Sequence, residues 1–301
     1  MSFLLQLLNG IQLGSIYALI ALGYNMVYGI VKLINFAHGD LIMVGAYTAF
    51  VCLAMLYLPL WATVLLIVLM CVVFGVLIQL FAYRPLLNRH APRISLLITA
   101  LGVSMLLENG VAFVFKPDAK PLSLGIDMEP FTIGSISIGF ATIATVVVSV
   151  ICMIALVILV NKTKMGKAMR AVSEDPQAAQ LMGINVNTTI SFTFATGSAL
   201  AGISSIFYTM SYPQIAPFMG SMLGLKAFVA AVLGGIGSIP GAMLGGMLLG
   251  IAESLTKAYI STVTGGVVSS QWADAVVFAI LIVTLLVKPS GILGKNVREK
   301  V

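Results

Sequence analysis

The sequence predicts an all-α fold, a polytopic bundle of transmembrane helices with about eight hydrophobic segments. Three observations point there. Sixty per cent of the 301 residues are hydrophobic, 9% are charged, and the mean hydropathy is +1.09, which leaves too little polar surface for a water-soluble core. Apolar stretches of roughly 20 residues, enough to cross a hydrocarbon core, recur along the chain. The alternating strands of about 10 residues that a membrane barrel requires are absent, so backbone groups must be satisfied inside helices.

The first span is expected over 3 to 24. Its start, MSFLLQLLNG, lacks the basic n-region of a cleaved signal and runs on in apolar residues toward Tyr24, so it is expected to be retained. Between Val27 and Gly45 the chain turns polar, with Lys32, Asn35, His38 and Asp40 close together. This predicts a turn before the second span, with Asp40 as its N-cap. His38 and Asp40 have no third or fourth ligand nearby, so no metal is expected.

Further spans are predicted at 40 to 57, 59 to 83, 94 to 115, 140 to 161, 189 to 211 and 271 to 288. A composite segment between 219 and 258 is interrupted by LGGIGSIPGAMLGGMLLG, a Gly/Pro hinge that predicts two short spans or a re-entrant pair of half-helices. Broken backbone at membrane depth survives where it is buried in protein or lines a polar cavity, which makes the hinge a pathway or subunit-contact candidate. Alternatively, Gly234, Gly235, Gly237 and Gly241 permit close helix packing. Cys52, Cys71 and Cys152 fall inside apolar segments and are expected to be free, buried thiols.

Eleven of the sixteen Lys and Arg lie in three regions: Arg84, Arg89 and Arg93; Lys162, Lys164, Lys167 and Arg170; Lys288, Lys295, Arg298 and Lys300. The positive-inside rule places these in the cytoplasm. The loop 116 to 139, with Lys116 and Lys120 against Asp118, Asp127 and Glu129, then faces outward, and three preceding spans put the N-terminus outside.

Glu108, Glu253 and Asp274 lie in or at the ends of apolar segments. A carboxylate at the bilayer centre costs about 2.5 to 3.5 kcal/mol on insertion scales, so such groups face the bundle interior, pair with a cation or mark a route. Glu253 has Lys257 four residues on, which predicts a helix-surface ion pair. The sequence carries no phosphate loop, nucleophile elbow or H-E-x-x-H motif, so no enzyme chemistry is expected of this chain.

Within the basic loop 162 to 188 stands RAVSEDPQAAQLMGINV, residues 170 to 186. Asp175 before Pro176 is a helix start and Gly183 a left-handed stop. The helix between them has a small apolar face of Ala178, Ala179 and Met182. So short a helix is marginal alone in water, and such a face suits a partner's groove or the lipid headgroups.

These residues resemble the cytoplasmic coupling segment of ATP-binding-cassette importer permeases, with Gln177-Ala178-Ala179-x-x-x-Gly183 as a variant of their E-A-A-x-x-x-G signature. The likeness extends to LGSIYALIALGYNMVYGIVKLINFAHGDLIMVGAY and AAVLGGIGSIPGAMLGG, and is closest to the H-type inner-membrane permease subunit of high-affinity branched-chain amino acid uptake systems. The resemblance implies a single transmembrane permease domain over 1 to 301 in a bacterial cytoplasmic membrane. It implies a second related permease, two ATP-binding subunits that bind ATP and Mg, and a periplasmic or lipid-anchored substrate-binding protein. No cofactor in this chain and no nucleic acid are implied.

The resemblance carries the coupling role onto Glu174, Asp175, Gln177, Ala178, Ala179, Met182 and Gly183. It offers Asn35, His38 and Asp40 of the N-terminal motif, and Gly234, Gly235 and Gly237 of the hinge, as translocation-path candidates beside Glu108. Permeases for urea or short amides, and for simple sugars or nucleosides, share much of this pattern. An ion-coupled transporter using Asp40, Glu108 and Asp274, or a structural membrane subunit, are the readings from other classes.

Overall fold

Long apolar runs become long helices in the computed structural model, which describes residues 3–32, 35–89, 91–125, 130–133, 136–265 and 269–294. Leu33 and Ile34 of the N-terminal motif, Asp127, Glu129, Lys295, Arg298 and Lys300 lie outside the described residues.

In chain order the helices are α1 (Phe3–Val31), α2 (Asp40–Phe50), α3 (Leu60–Leu77), α4 (Arg84–Asn88), α5 (Arg93–Phe115), α6 (Phe140–Lys162), α7 (Lys164–Glu174), α8 (Pro176–Leu181), α9 (Val186–Ser211), α10 (Met219–Gly234), α11 (Ile239–Val263) and α12 (Ala273–Val287). Wider i→i+5 turns continue α2 through Val51–Met55, and join α3 to α4 through Ile78–Tyr83. Short strands β1 (Lys120–Pro121) and β4 (Gln214–Ile215) pair antiparallel, as do β2 (Phe131–Ile133) and β3 (Ile136–Ile138). Among the described residues, eight helical segments are long and apolar enough to cross a membrane.

Three expectations change. The first span runs on to Val31. The basic loop holds, besides the expected short helix, a further helix α7, whose N-cap Thr163 accepts from the Gly166 N–H at 2.9 Å. The composite segment, expected as two short spans or a re-entrant pair of half-helices, is one short helix followed by one long one: α10 has 16 residues and α11 has 25. At 1.5 Å per residue these are about 24 and 37 Å long, against a core of about 30 Å.

The chain divides into two compact units that alternate along the sequence: one from Met1–Asn25, Asp127–Met153 and Lys226–Val301, the other from Met26–Ile126 and Ile154–Leu225. In the first, α1 and α11 approach along small residues. A methyl on Gly10 would meet Ile251 Cα at 2.8 Å and one on Gly14 would meet Met247 Cα at 2.8 Å, a small-xxx-small seam of the kind that lets membrane helices touch through their backbones. In the second, the core gathers Met43, Val44, Tyr47, Ile67, Cys71, Leu122, Ile206 and Ile215 from α2, α3, α9 and the loops that β1 and β4 tie together. Lys120 lies over the Phe50 ring, 5.8 Å from its centroid, so this charge at the end of the bundle is met by an aromatic face.

Candidate functional site: a mid-depth carboxylate cluster and an exposed loop helix

In the second unit, Asp40 stands at the first turn of α2. It does not cap that helix, because Gly39 before it is already helical (φ −61°, ψ −36°), whereas a capping residue needs extended backbone. The Asp40 side chain, fully buried, faces Ser104 and Glu108, one turn apart on α5. Ser104 is the midpoint of α5, eleven residues from Arg93 and eleven from Phe115, which puts the cluster about 16 Å from either end of that helix. Two helix starts converge here. A methyl on Gly220, in the first turn of α10, would meet Asp40 Oδ1 at 2.6 Å, and one on Gly39 would meet Gly224 Cα at 2.6 Å. The absent side chains are what allow α2 and α10 to begin side by side half-way across.

Around this point the other N-terminal candidates are also buried. Asn35 Oδ1 accepts from the Tyr83 hydroxyl at 2.9 Å, and His38 is buried in the 3-10 turn Phe36–His38. Close by in sequence, Gln79 Oε1 accepts from Ser191 at 2.8 Å; it lies in the wide turn Ile78–Tyr83, where Ile78, Gln79 and Tyr83 are buried. Tyr83, Gln79 and Ser104 were not singled out from the sequence. Their only signal was polarity inside apolar spans.

In the loop between α6 and α9, Asp175 accepts from the N–H groups of Gln177 (2.8 Å) and Ala178 (3.1 Å) and starts α8. The helix ends in a Schellman pattern: Ile184 N–H donates to Ala179 O and Gly183 N–H to Gln180 O, both at 3.0 Å, with Gly183 at φ +82°. The expected apolar face is corrected in one respect. Ala179 is 3% exposed and packs inward, while Leu181 (88%) and Met182 (83%) project outward. Glu174, Asp175, Gln177 and Ala178 are also exposed. Arg170 on α7 fixes the platform by donating to Val160 O at 2.7 Å and Asn161 Oδ1 at 3.1 Å.

Over residues 6–285 the sequence matches the family model for the branched-chain amino acid transport system permease component. The chain belongs to this family. Relatives include the high-affinity branched-chain amino acid transport system permease proteins LivH of Escherichia coli (strain K12) and BraD of Pseudomonas aeruginosa, each 42% identical over 99% of this chain and 98% of the relative. A probable branched-chain amino acid transport permease protein LivH of Methanocaldococcus jannaschii is 31% identical over 93% of this chain and 89% of its own length.

In this permease the predicted path residues divide between the two units. Asn35, His38, Asp40 and Glu108 belong to one, and Gly234, Gly235 and Gly237 to the other. The three glycines form the turn between α10 and α11, with Gly235 at φ +105° and Gly237 at φ +88°. Asn25 staples it, donating to Ser238 O and accepting from Gly237 N–H, both at 2.8 Å. Leu233 O and Gly234 O accept from Ile292 and Leu293 N–H, each at 2.9 Å, and a methyl on Gly235 would run into Gly294. Gly234 and Gly235 are closely packed, whereas a methyl on Gly237 would meet nothing within 4 Å and it is the positive φ there that favours glycine.

The permease's other carboxylate cluster overturns the surface reading of Glu253. That residue is fully buried, and accepts from Tyr17 OH (2.8 Å), Lys226 Nζ (2.8 Å) and Lys257 Nζ (2.6 Å). Lys226 also pairs with Asp274 at 2.6 Å. Two acids and two bases from α10, α11 and α12 balance their charges inside the first unit, the arrangement that makes buried ions tolerable. Among the described residues no group of three or more His, Cys, Asp or Glu could hold a metal ion.

Proposed function

We propose that this chain is the membrane-spanning permease subunit of an ATP-binding-cassette importer that carries leucine, isoleucine and valine into a bacterial cell. The observation that carries the reading is identity with LivH and BraD from end to end, 42% over 99% of the chain. Nothing is catalysed here: ATP and Mg are bound by two ATPase subunits, this chain holds no cofactor, and a second permease subunit completes the pore. A periplasmic binding protein delivers the amino acid on the outer face of the cytoplasmic membrane.

The ATPases dock on α8. Leu181 and Met182 enter a groove on the ATPase, Glu174, Asp175, Gln177 and Ala178 surround them, and Ala179 and Gly183 hold the short helix in shape. Asn35, His38, Asp40 and Glu108 belong to the translocation path at mid-depth, where an apolar side chain travels along helix faces and its polar end needs partners.

The test is uptake by proteoliposomes containing the chain co-purified with its ATPase and permease partners. Leucine accumulation that requires both ATP and loaded binding protein supports the reading. Accumulation that persists without the ATPase subunits and collapses with an ion gradient overturns it in favour of secondary transport, and ATP-driven uptake of urea or amides but not leucine overturns the substrate.

A further inference from the structure

Asp40 and Glu108 present an electrostatic problem that the bundle does not itself solve. Asp40 is fully buried, and neither of its oxygens, nor Glu108 Oε1, has a hydrogen-bond partner of normal geometry among the described residues. No Lys or Arg among the described residues forms an ion pair with either acid, in contrast to Glu253, which is held by two lysines. Like charges facing each other at the centre of a membrane repel, and each is costly there.

The convergence of the α2 and α10 starts partly relieves Asp40. Helix N-termini carry partial positive charge and favour an anion. In transporters with interrupted helices, half-helix starts at mid-depth are where anionic groups are held. Here the anion at that position is a side chain of the protein, so what the cluster lacks is a cation. Three groups able to accept stand together here: the carboxylates of Asp40 and Glu108 and the hydroxyl of Ser104. A primary ammonium has three N–H donors on one small charged group, matching three acceptors in number and compensating the surplus negative charge.

We infer that Asp40, Glu108 and Ser104 form a mid-depth site for a primary ammonium group, the α-ammonium of the transported amino acid. The inference rests on the proposed amino-acid transport and adds the polar end of the substrate to it. The substrate's carboxylate plays no part at this site, and its aliphatic side chain lies along the apolar helix faces.

The test uses the full chain co-purified with its partner subunits in detergent, without binding protein. Leucine and protonated 3-methylbutylamine raise the unfolding midpoint of the wild-type complex, while 4-methylpentanoate, which lacks the ammonium, and tetramethylammonium, which lacks N–H donors, leave it unchanged. Asp40→Asn and Glu108→Gln each abolish the shift, and lower ATP-driven leucine uptake at saturating loaded binding protein by about tenfold or more. If Asp40→Asn fails to assemble, Glu108→Gln, at a half-buried position, carries the test. A shift by 4-methylpentanoate or tetramethylammonium equal to that by the amine overturns the site, as does wild-type uptake in assembled variants. A wild-type complex that responds to 3-methylbutylamine yet never imports leucine keeps the site and refutes the substrate.

Discussion

Glu253 shows how one long-range contact changes the meaning of a residue. Its pairing with Lys257 follows from the i, i+4 spacing, but that spacing says nothing of depth, and Lys226, 27 positions away, reaches it only because α10 and α11 pack together. Removing one partner of a buried pair leaves an uncompensated charge and costs about 3 to 5 kcal/mol. Lys226→Met is expected near the lower end of that range, since Lys257 and Tyr17 still bond Glu253. Lys257, whose side chain is 46% exposed, is worth less than about 1 kcal/mol, as surface pairs are. Thermal unfolding of the purified complex checks the order: Lys226→Met strongly destabilised, Lys257→Met close to wild type. Equal midpoints for the two variants would show that burial does not govern this network.

At the scale of elements, what was legible in the sequence was what local chemistry decides. Asp175-Pro176 and Gly183 place α8 because a cap and a left-handed stop need only their immediate neighbours. Asp40 misled for the opposite reason: the same residue type before an apolar run suggests a cap, but here the preceding turn is already helical, and packing against α5 and α10 claims the side chain. The helix α7 escaped notice because its basic residues read as a charged loop, although Met169 and Val172 give it a buried face. Which side of α8 faces out was equally hidden, since Ala179 is drawn inward by packing and leaves Leu181 and Met182 to project. From this geometry, Gly183→Val forces a β-branched residue to φ +82°, costing roughly 1 to 2 kcal/mol by the left-handed penalty, and Ala179→Glu places a charge where a small residue is buried. Both are expected to abolish ATP-driven uptake while membrane insertion, followed by protease protection, stays intact. Leu181→Asp, which leaves the backbone and cap untouched, gives the same loss if α8 docks through its apolar pair; normal uptake in Leu181→Asp would remove that docking role.

For the whole molecule, sidedness follows from charge rather than from packing. Arg84, Arg89 and Arg93 stand at one end of α5, and Lys162, Lys164, Lys167 and Arg170 cluster where α6 meets α7; the positive-inside rule predicts that both ends face the cytoplasm. The far end of α5 then carries Asp118 to the opposite side. Cysteine chemistry can report this with little background, because Cys52 and Cys71 are buried, Cys152 is half-buried, and all three lie within membrane-spanning helices where a charged reagent does not enter. A cysteine introduced at the exposed Asp118 should react with a membrane-impermeant maleimide in right-side-out vesicles, and one at the exposed Leu181 only in inside-out vesicles. The reverse pattern would invert the protein, moving α8 away from the compartment where ATP is hydrolysed, and the docking role would fall with it. Labelling of both positions from one side would mean that α6 does not cross the membrane, despite 23 residues of the length and composition needed to do so.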